Sequence, residues 1–132
     1  MCPDIRVYTL NSAQIHSLLN YSISRSGSDF FSQVSGVRFR IVANQAADIQ
    51  VLKDPTNPTA SYSLLDPAAT YTVATTDFQG LVAAGYQEIF AGAPHRDTGI
   101  DMRDQVRGFI QAHSPVTARL DGRITVNRLE GN

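Results

Sequence analysis

Three histidines, one cysteine, scattered carboxylates and a few aromatic rings at element ends are the groups in this chain that could do chemistry. His16, His95 and His113 lie far apart in sequence, and no HExxH or CxxC spacing joins them. No zinc pattern is therefore legible. His95, Asp97 and Asp101 form one local group with metal-ligand residue types, but a solvated loop accounts for them better. There is no GxSxG, and no Ser, His and Asp order suggests a hydrolytic triad. No P-loop and no GxGxxG offers a phosphate cradle. Asp101 and Asp104 suit the start of a helix better than an acid–base pair. Cys2 has no second cysteine to pair with and reads as an inert thiol. What remains is aromatic. Phe30 and Phe31 come just before an expected strand, and Phe78 just after another. Element ends are where ligands are commonly held. A ring there can stack on a nucleobase for roughly 1–3 kcal/mol. On their own, such rings are more often simply core.

The elements that must position these groups follow from periodicity. Ile5 to Leu10 alternates and is β-branched, which predicts a strand. Ser12 can cap a following helix whose stripe is Ile15, Leu18, Leu19 and Ile23, ending near Ser26-Gly27. That stripe should face a core, with His16 on the polar side. Phe30 to Gly36 reads as a turn or strand entry. Val37, Phe39 and Ile41 alternate with Arg38 and Arg40, a half-buried strand with a wet basic face. Ile49 to Leu52 is its expected neighbour. The stretch from Lys53 to Ala60 is a Pro-containing surface loop, and Tyr71 to Thr75 a central strand. Asp77 to Tyr86 reads as a loop or short helix ending at Gly85, and Glu88 to Thr98 as irregular. Asp101 can cap a second amphipathic helix with Met102, Val106, Phe109 and Ile110 as its stripe, His113 near its negative end and Pro115 beyond it. Gly122 to Val126 is a closing strand, and 127–132 a loose polar tail. Strands and helices do not alternate regularly, so the expected class is α+β: a single domain over 1–132, with a mixed β-sheet packed with two main helices.

Composition narrows the function. The 132 residues, 42% of them hydrophobic, suffice for one core. The net charge of −1, with 11 basic and 12 acidic residues, gives no basic face for nucleic acid. No apolar run approaches the roughly 18 residues of a membrane span, and the opening Met1-Cys2-Pro3-Asp4 lacks the regions of a signal peptide.

Five ordered segments resemble the C-terminal domain of the 5′-nucleotidase / UDP-sugar hydrolase family. Val7-Tyr8-Thr9-Leu10-Asn11-Ser12-Ala13-Gln14-Ile15 is similar to the family's strand running into "TGAQL". Gln33-Val34-Ser35-Gly36-Val37 resembles "QVSGL". Leu65-Asp66-Pro67 with Tyr71-Thr72-Val73-Ala74-Thr75 matches "LDPxxxYxVAT". Phe78 with Ala84-Gly85-Tyr86 sits where the family has a Phe followed by "GGDGY", and Asp121-Gly122-Arg123-Ile124 matches its closing "GRI". The resemblance spans nearly the whole chain.

It implies a nucleoside- or nucleotide-binding domain that holds the base between two Phe rings, Phe31 and Phe78. Gln33 would hydrogen-bond the base, as an amide can both donate and accept, and Tyr86 belongs to the same pocket. It places no catalytic residue and no metal in this chain. Two divalent metals are expected in an N-terminal metallophosphoesterase domain, the partner that would hydrolyse the phosphoester. It also implies a parent that is periplasmic or secreted.

The departures are specific. The family's Gly-Gly-Asp-Gly is Val82-Ala83-Ala84-Gly85, so Ala84 replaces the acidic residue expected to bind the nucleoside. A lost polar partner weakens recognition by about 1–3 kcal/mol. Asn11-Ser12 stands where the family has Thr-Gly. Arg38 and Arg40 are candidates for the phosphate only as outward strand residues. The alternative reading is a degenerate domain serving as a structural or protein-interaction module without nucleotide binding.

Overall fold

In the computed structural model, residues 3–54, 56–57 and 61–126 are described. Cys2, part of the predicted 53–60 loop and the predicted tail 127–132 lie outside them. The chain forms two compact units, one from 1–14 and 70–119, the other from 15–69 and 120–132.

The first unit is organised around β1 (Asp4–Asn11), the middle strand of a three-stranded antiparallel sheet. Its neighbours are β5 (Thr70–Thr76), in register from Ile5↔Thr76 to Asn11↔Thr70, and β6 (His95–Asp101). Alternation along β1 buries Tyr8 and Leu10 on one face. Two five-residue helices follow β5: α2 (Asp77–Leu81) and α3 (Tyr86–Phe90). Tyr86 and Phe90 lie in the core with Ala83 and Ala93, and the Tyr8 and Phe90 rings are 4.5 Å apart. After β6 comes α4 (Met102–His113).

The second unit contains most of α1 (Ser12–Ser24) and a four-stranded mixed sheet in the order β4-β3-β2-β7. Its strands are β2 (Val37–Val42), β3 (Gln45–Leu52), β4 (Tyr62–Leu64) and β7 (Ile124–Val126). β7 runs parallel to β2 and the other pairs are antiparallel. Ile15, Leu19 and Ile23 of α1 are buried, as are Phe39, Ala46 and Ile49 of the strands. The class is α+β, as the sequence predicts.

Several expectations are revised. The helix cap at α1 is Asn11 rather than Ser12. Its Oδ1 accepts from the Gln14 N–H at 2.8 Å while its own N–H donates to Gln14 Oε1 at 2.8 Å. This reciprocal bonding requires residues three apart, and Asn11 has a glutamine at that distance.

β3 begins four residues before the predicted start because the chain reverses in two residues. Ala43 and Asn44 both have positive φ, at 51° and 61°, the signature of a type I′ hairpin turn. A bulge then falls at Asp48, φ 52°, which shifts the alternation so that Ala46 and Ile49 share the buried set.

β6 begins inside the stretch predicted as irregular, Glu88 to Thr98, and runs on to Asp101. All its residues but Gly99 and Ile100 are polar and most are exposed, so no hydrophobic period marks it, and pairing with β1 alone makes it a strand. Asp101 does cap α4, accepting from the N–H groups of Arg103 and Asp104. None of the α4 side chains is buried: Met102, Val106, Phe109 and Ile110 all face solvent.

Candidate functional site

Phe31 and Gln33 belong to the second unit, in the irregular segment between α1 and β2. Three hydrogen bonds fix that segment. The Phe31 N–H donates to the Ser28 carbonyl at 3.2 Å. The Ser32 N–H donates to Ser22 Oγ at 2.8 Å, and Ser22 is buried on α1. The Val34 carbonyl accepts from Arg123 Nη1 at 2.6 Å. Arg123 is itself oriented by Asp121, with Nε 2.8 Å from Oδ2. The hydrogen bond from Arg123 holds the Asp121 carboxyl below its ordinary range. The segment is thus tied at one side to α1 and at the other to the start of β7. Phe31 is half-buried and Gln33 exposed. Neighbouring Phe30 lies beside the Arg25 guanidinium, 5.4 Å from the ring centre.

Arg38 and Arg40 do point outward from β2, and both are engaged. Arg40 pairs with Asp48 at 2.6 Å. Arg38 donates to Gln50 Oε1 at 2.7 Å and lies over the Tyr62 ring at 4.2 Å.

Phe78 and Tyr86 belong to the first unit. Thr76 caps α2, its hydroxyl accepting from the Gln79 N–H at 3.2 Å, and the Thr75 hydroxyl bonds Gln79 Oε1. The Phe78 carbonyl accepts from both Val82 and Ala83. Its carbonyl is therefore held by two donors, while 54% of the residue remains exposed. Ala84 is exposed, and Gly85 turns the chain into α3 with φ 86°. Tyr86, the next residue, is 1% exposed and sits in the core.

His95, Asp97 and Asp101 do not assemble as metal ligands. Arg6 Nη2 lies 2.6 Å from His95 Nδ1, Arg6 Nη1 lies 3.6 Å from Asp97, and Asp101 is occupied by the α4 cap. Among the described residues no group of three or more His, Cys, Asp or Glu side chains is placed to hold a metal ion.

The sequence pattern of the family described as 5′-nucleotidase, C-terminal domain, matches residues 3–91, well over half of the chain. The chain belongs to this family. Solved structures give the same fold to this 5′-nucleotidase C-terminal domain. A 5′-nucleotidase precursor from Thermus thermophilus superposes with a TM-score of 0.80 at 24% identity, covering 94% of this chain and 25% of its own. The NAD nucleotidase of Haemophilus influenzae gives 0.75 at 16% identity, covering 96% and 24%. A sulfate thiohydrolase, also from Thermus thermophilus, gives 0.57 at 18% identity, covering 99% and 23%. The domain spans about a quarter of the length of each. A search by sequence against curated proteins found no match.

Sequence reasoning found the aromatic candidates but not the groups that hold them. Ser22 reads as one more polar residue of α1, and Arg123 only as part of the closing motif. A serine at a position flanked by the apolar stripe of a helix was the one available signal for Ser22.

Proposed function

We propose that this domain binds a nucleoside or nucleotide for a 5′-nucleotidase-type phosphohydrolase. The phosphoester would be cleaved in a separate metallophosphoesterase domain carrying the two metals. The observation that carries the reading is Phe78: a large apolar ring, 54% exposed, on a backbone locked by Thr76, Val82 and Ala83. A ring held out of the core in this way is preorganised for stacking, because little conformational freedom is lost on binding. Phe31 enters as the second stacking ring from the family pattern, and Gln33, exposed beside it, as the amide that reads the base. Tyr86, being buried, would contribute by anchoring the turn at Gly85.

A second reading, a degenerate domain used as a structural or protein-interaction module, is favoured by Ala84, which has no carboxylate for a nucleoside, and by the exposed apolar stripe of α4. NMR titration with adenosine and AMP separates the two. Saturable shifts that are lost in Phe31→Ala and in Phe78→Ala support nucleotide binding. No shifts at millimolar ligand would sink it and leave the interaction module.

A further inference from the structure

The strands that end the two sheets differ in how their open edges are treated. An edge strand presents unpaired N–H and C=O groups, and proteins blunt such edges with charge, bulges or shortness. β4 and β7, at the ends of one sheet, have three residues each. β6, at one end of the other, carries His95, Arg96, Asp97 and Asp101, and its register with β1 breaks between Asp4 and Arg6.

β5, at the remaining end, has none of these devices. Its seven residues, Thr-Tyr-Thr-Val-Ala-Thr-Thr, include no charge, no proline and no glycine. Five of them are β-branched, so the strand is stiff and extended on its own account. Its register with β1 runs unbroken from Thr70 to Thr76. Among the described residues, Thr72, Val73 and Ala74 make no backbone hydrogen bond beyond the ladder with β1. Val73 lies opposite Tyr8, on the core side of the sheet, whereas Thr72 and Ala74 are exposed.

The sequence of this edge fits itself. Turned about Val73, an antiparallel second copy sets Tyr71 against Thr75, Thr72 against Ala74 and Thr70 against Thr76. Aromatic against β-branched and threonine against threonine are favourable cross-strand pairs, and no like charges meet. The arrangement is also closed. The six strands would run β6-β1-β5-β5-β1-β6, ending on both sides in the charged, irregular β6.

We propose that β5 is a homodimerisation edge, on which a second copy of this chain adds its own β5 antiparallel about Val73. The surface lies wholly in the first unit and is separate from the nucleotide reading. It is also distinct from the apolar stripe of α4, because backbone groups and not an apolar face supply the contact.

The test is sedimentation equilibrium of the full chain. A reversible monomer–dimer equilibrium is expected between about 10 µM and 1 mM, as suits an interface at the small end of the range. Thr72→Lys with Ala74→Lys, both at exposed positions, sets two pairs of lysines against each other and should weaken the dimer by about tenfold or more. Thr72→Lys with Ala74→Asp sets each lysine opposite an aspartate of the other copy and should restore it. Val106→Ser on α4 should leave it in place. A chain that stays monomeric at millimolar concentration overturns the proposal. So does a dimer that persists unchanged with both lysines, one that the lysine–aspartate pair fails to restore, or one lost in Val106→Ser.

Discussion

Gly80 is the residue whose replacement the packing opposes most directly. A methyl group built there would lie 2.7 Å from Tyr8 Cζ and closer still to the hydroxyl, and Tyr8 is core. Gly80→Ala, which intrinsic helix propensity alone would favour, is expected to destabilise by about 1–3 kcal/mol in a denaturant titration. Asp4 carries a pH signature. Desolvation, then the carboxylates of Asp97, Asp77 and Asp101, raise its pKa in the folded state. The folded chain thus holds the Asp4 proton to higher pH than the unfolded chain, and stability falls as pH rises through that window. Asp4→Asn should raise the midpoint of thermal unfolding at neutral pH, and the gain should vanish once the medium is acidic enough to protonate Asp4 in both states. At this scale the sequence was legible where a residue acts through its own neighbours, as Asp101 does in capping α4. It was opaque for Tyr8 and Gly80, whose meeting is set by a strand and a helix far apart in the chain.

Among the elements, α1 and α4 contrast. The reciprocal bonds between Asn11 and Gln14 start α1 directly from the last residue of β1. Asn11→Ala should cost about 1 kcal/mol, and adding Gln14→Ala should cost less than the sum of the single changes, because both remove the same box. Chemical denaturation of the two single variants and the double variant measures this. In α4 the apolar stripe is real but unburied, so Val106→Ser should change stability by no more than about 0.5 kcal/mol. A large loss on calorimetry would mean that the stripe is covered in solution. Periodicity located both helices and could not distinguish them, because a hydrophobic stripe records what a helix can bury and not what it does bury. β6 marks the opposite limit. Its residues are mostly polar, and its strand conformation comes from the free edge of β1.

For the whole molecule, the notable fact is interleaving. Each compact unit draws on two separated stretches of chain, so no single cut divides them. This is why no linker or change of composition could be read from the sequence, which offered 1–132 as one domain. Residues 70–119 contain β5, β6 and three helices but lack β1, the strand between β5 and β6. That fragment is expected to stay unfolded by circular dichroism, since neither remaining strand pairs with the other. Adding 1–14 as a separate peptide should restore structure, because it supplies the missing middle strand and its ladder of backbone bonds. The family membership was legible for a related reason: its motifs are short and local, and each survives wherever the chain carries it.

The position of β1 also has a consequence during synthesis. Ile5 waits for Thr76, and Tyr8 for His95, before its backbone groups find their strand partners. A ribosome making this chain extrudes an amphipathic strand, with Tyr8 and Leu10 destined for the interior, long before either flanking strand exists. Such delayed, sequence-distant pairing slows folding and leaves an adhesive segment bare on the nascent chain. A permuted gene that placed β1 immediately after β6 would shorten that exposure, and its product should give a higher soluble yield in a host lacking holdase chaperones.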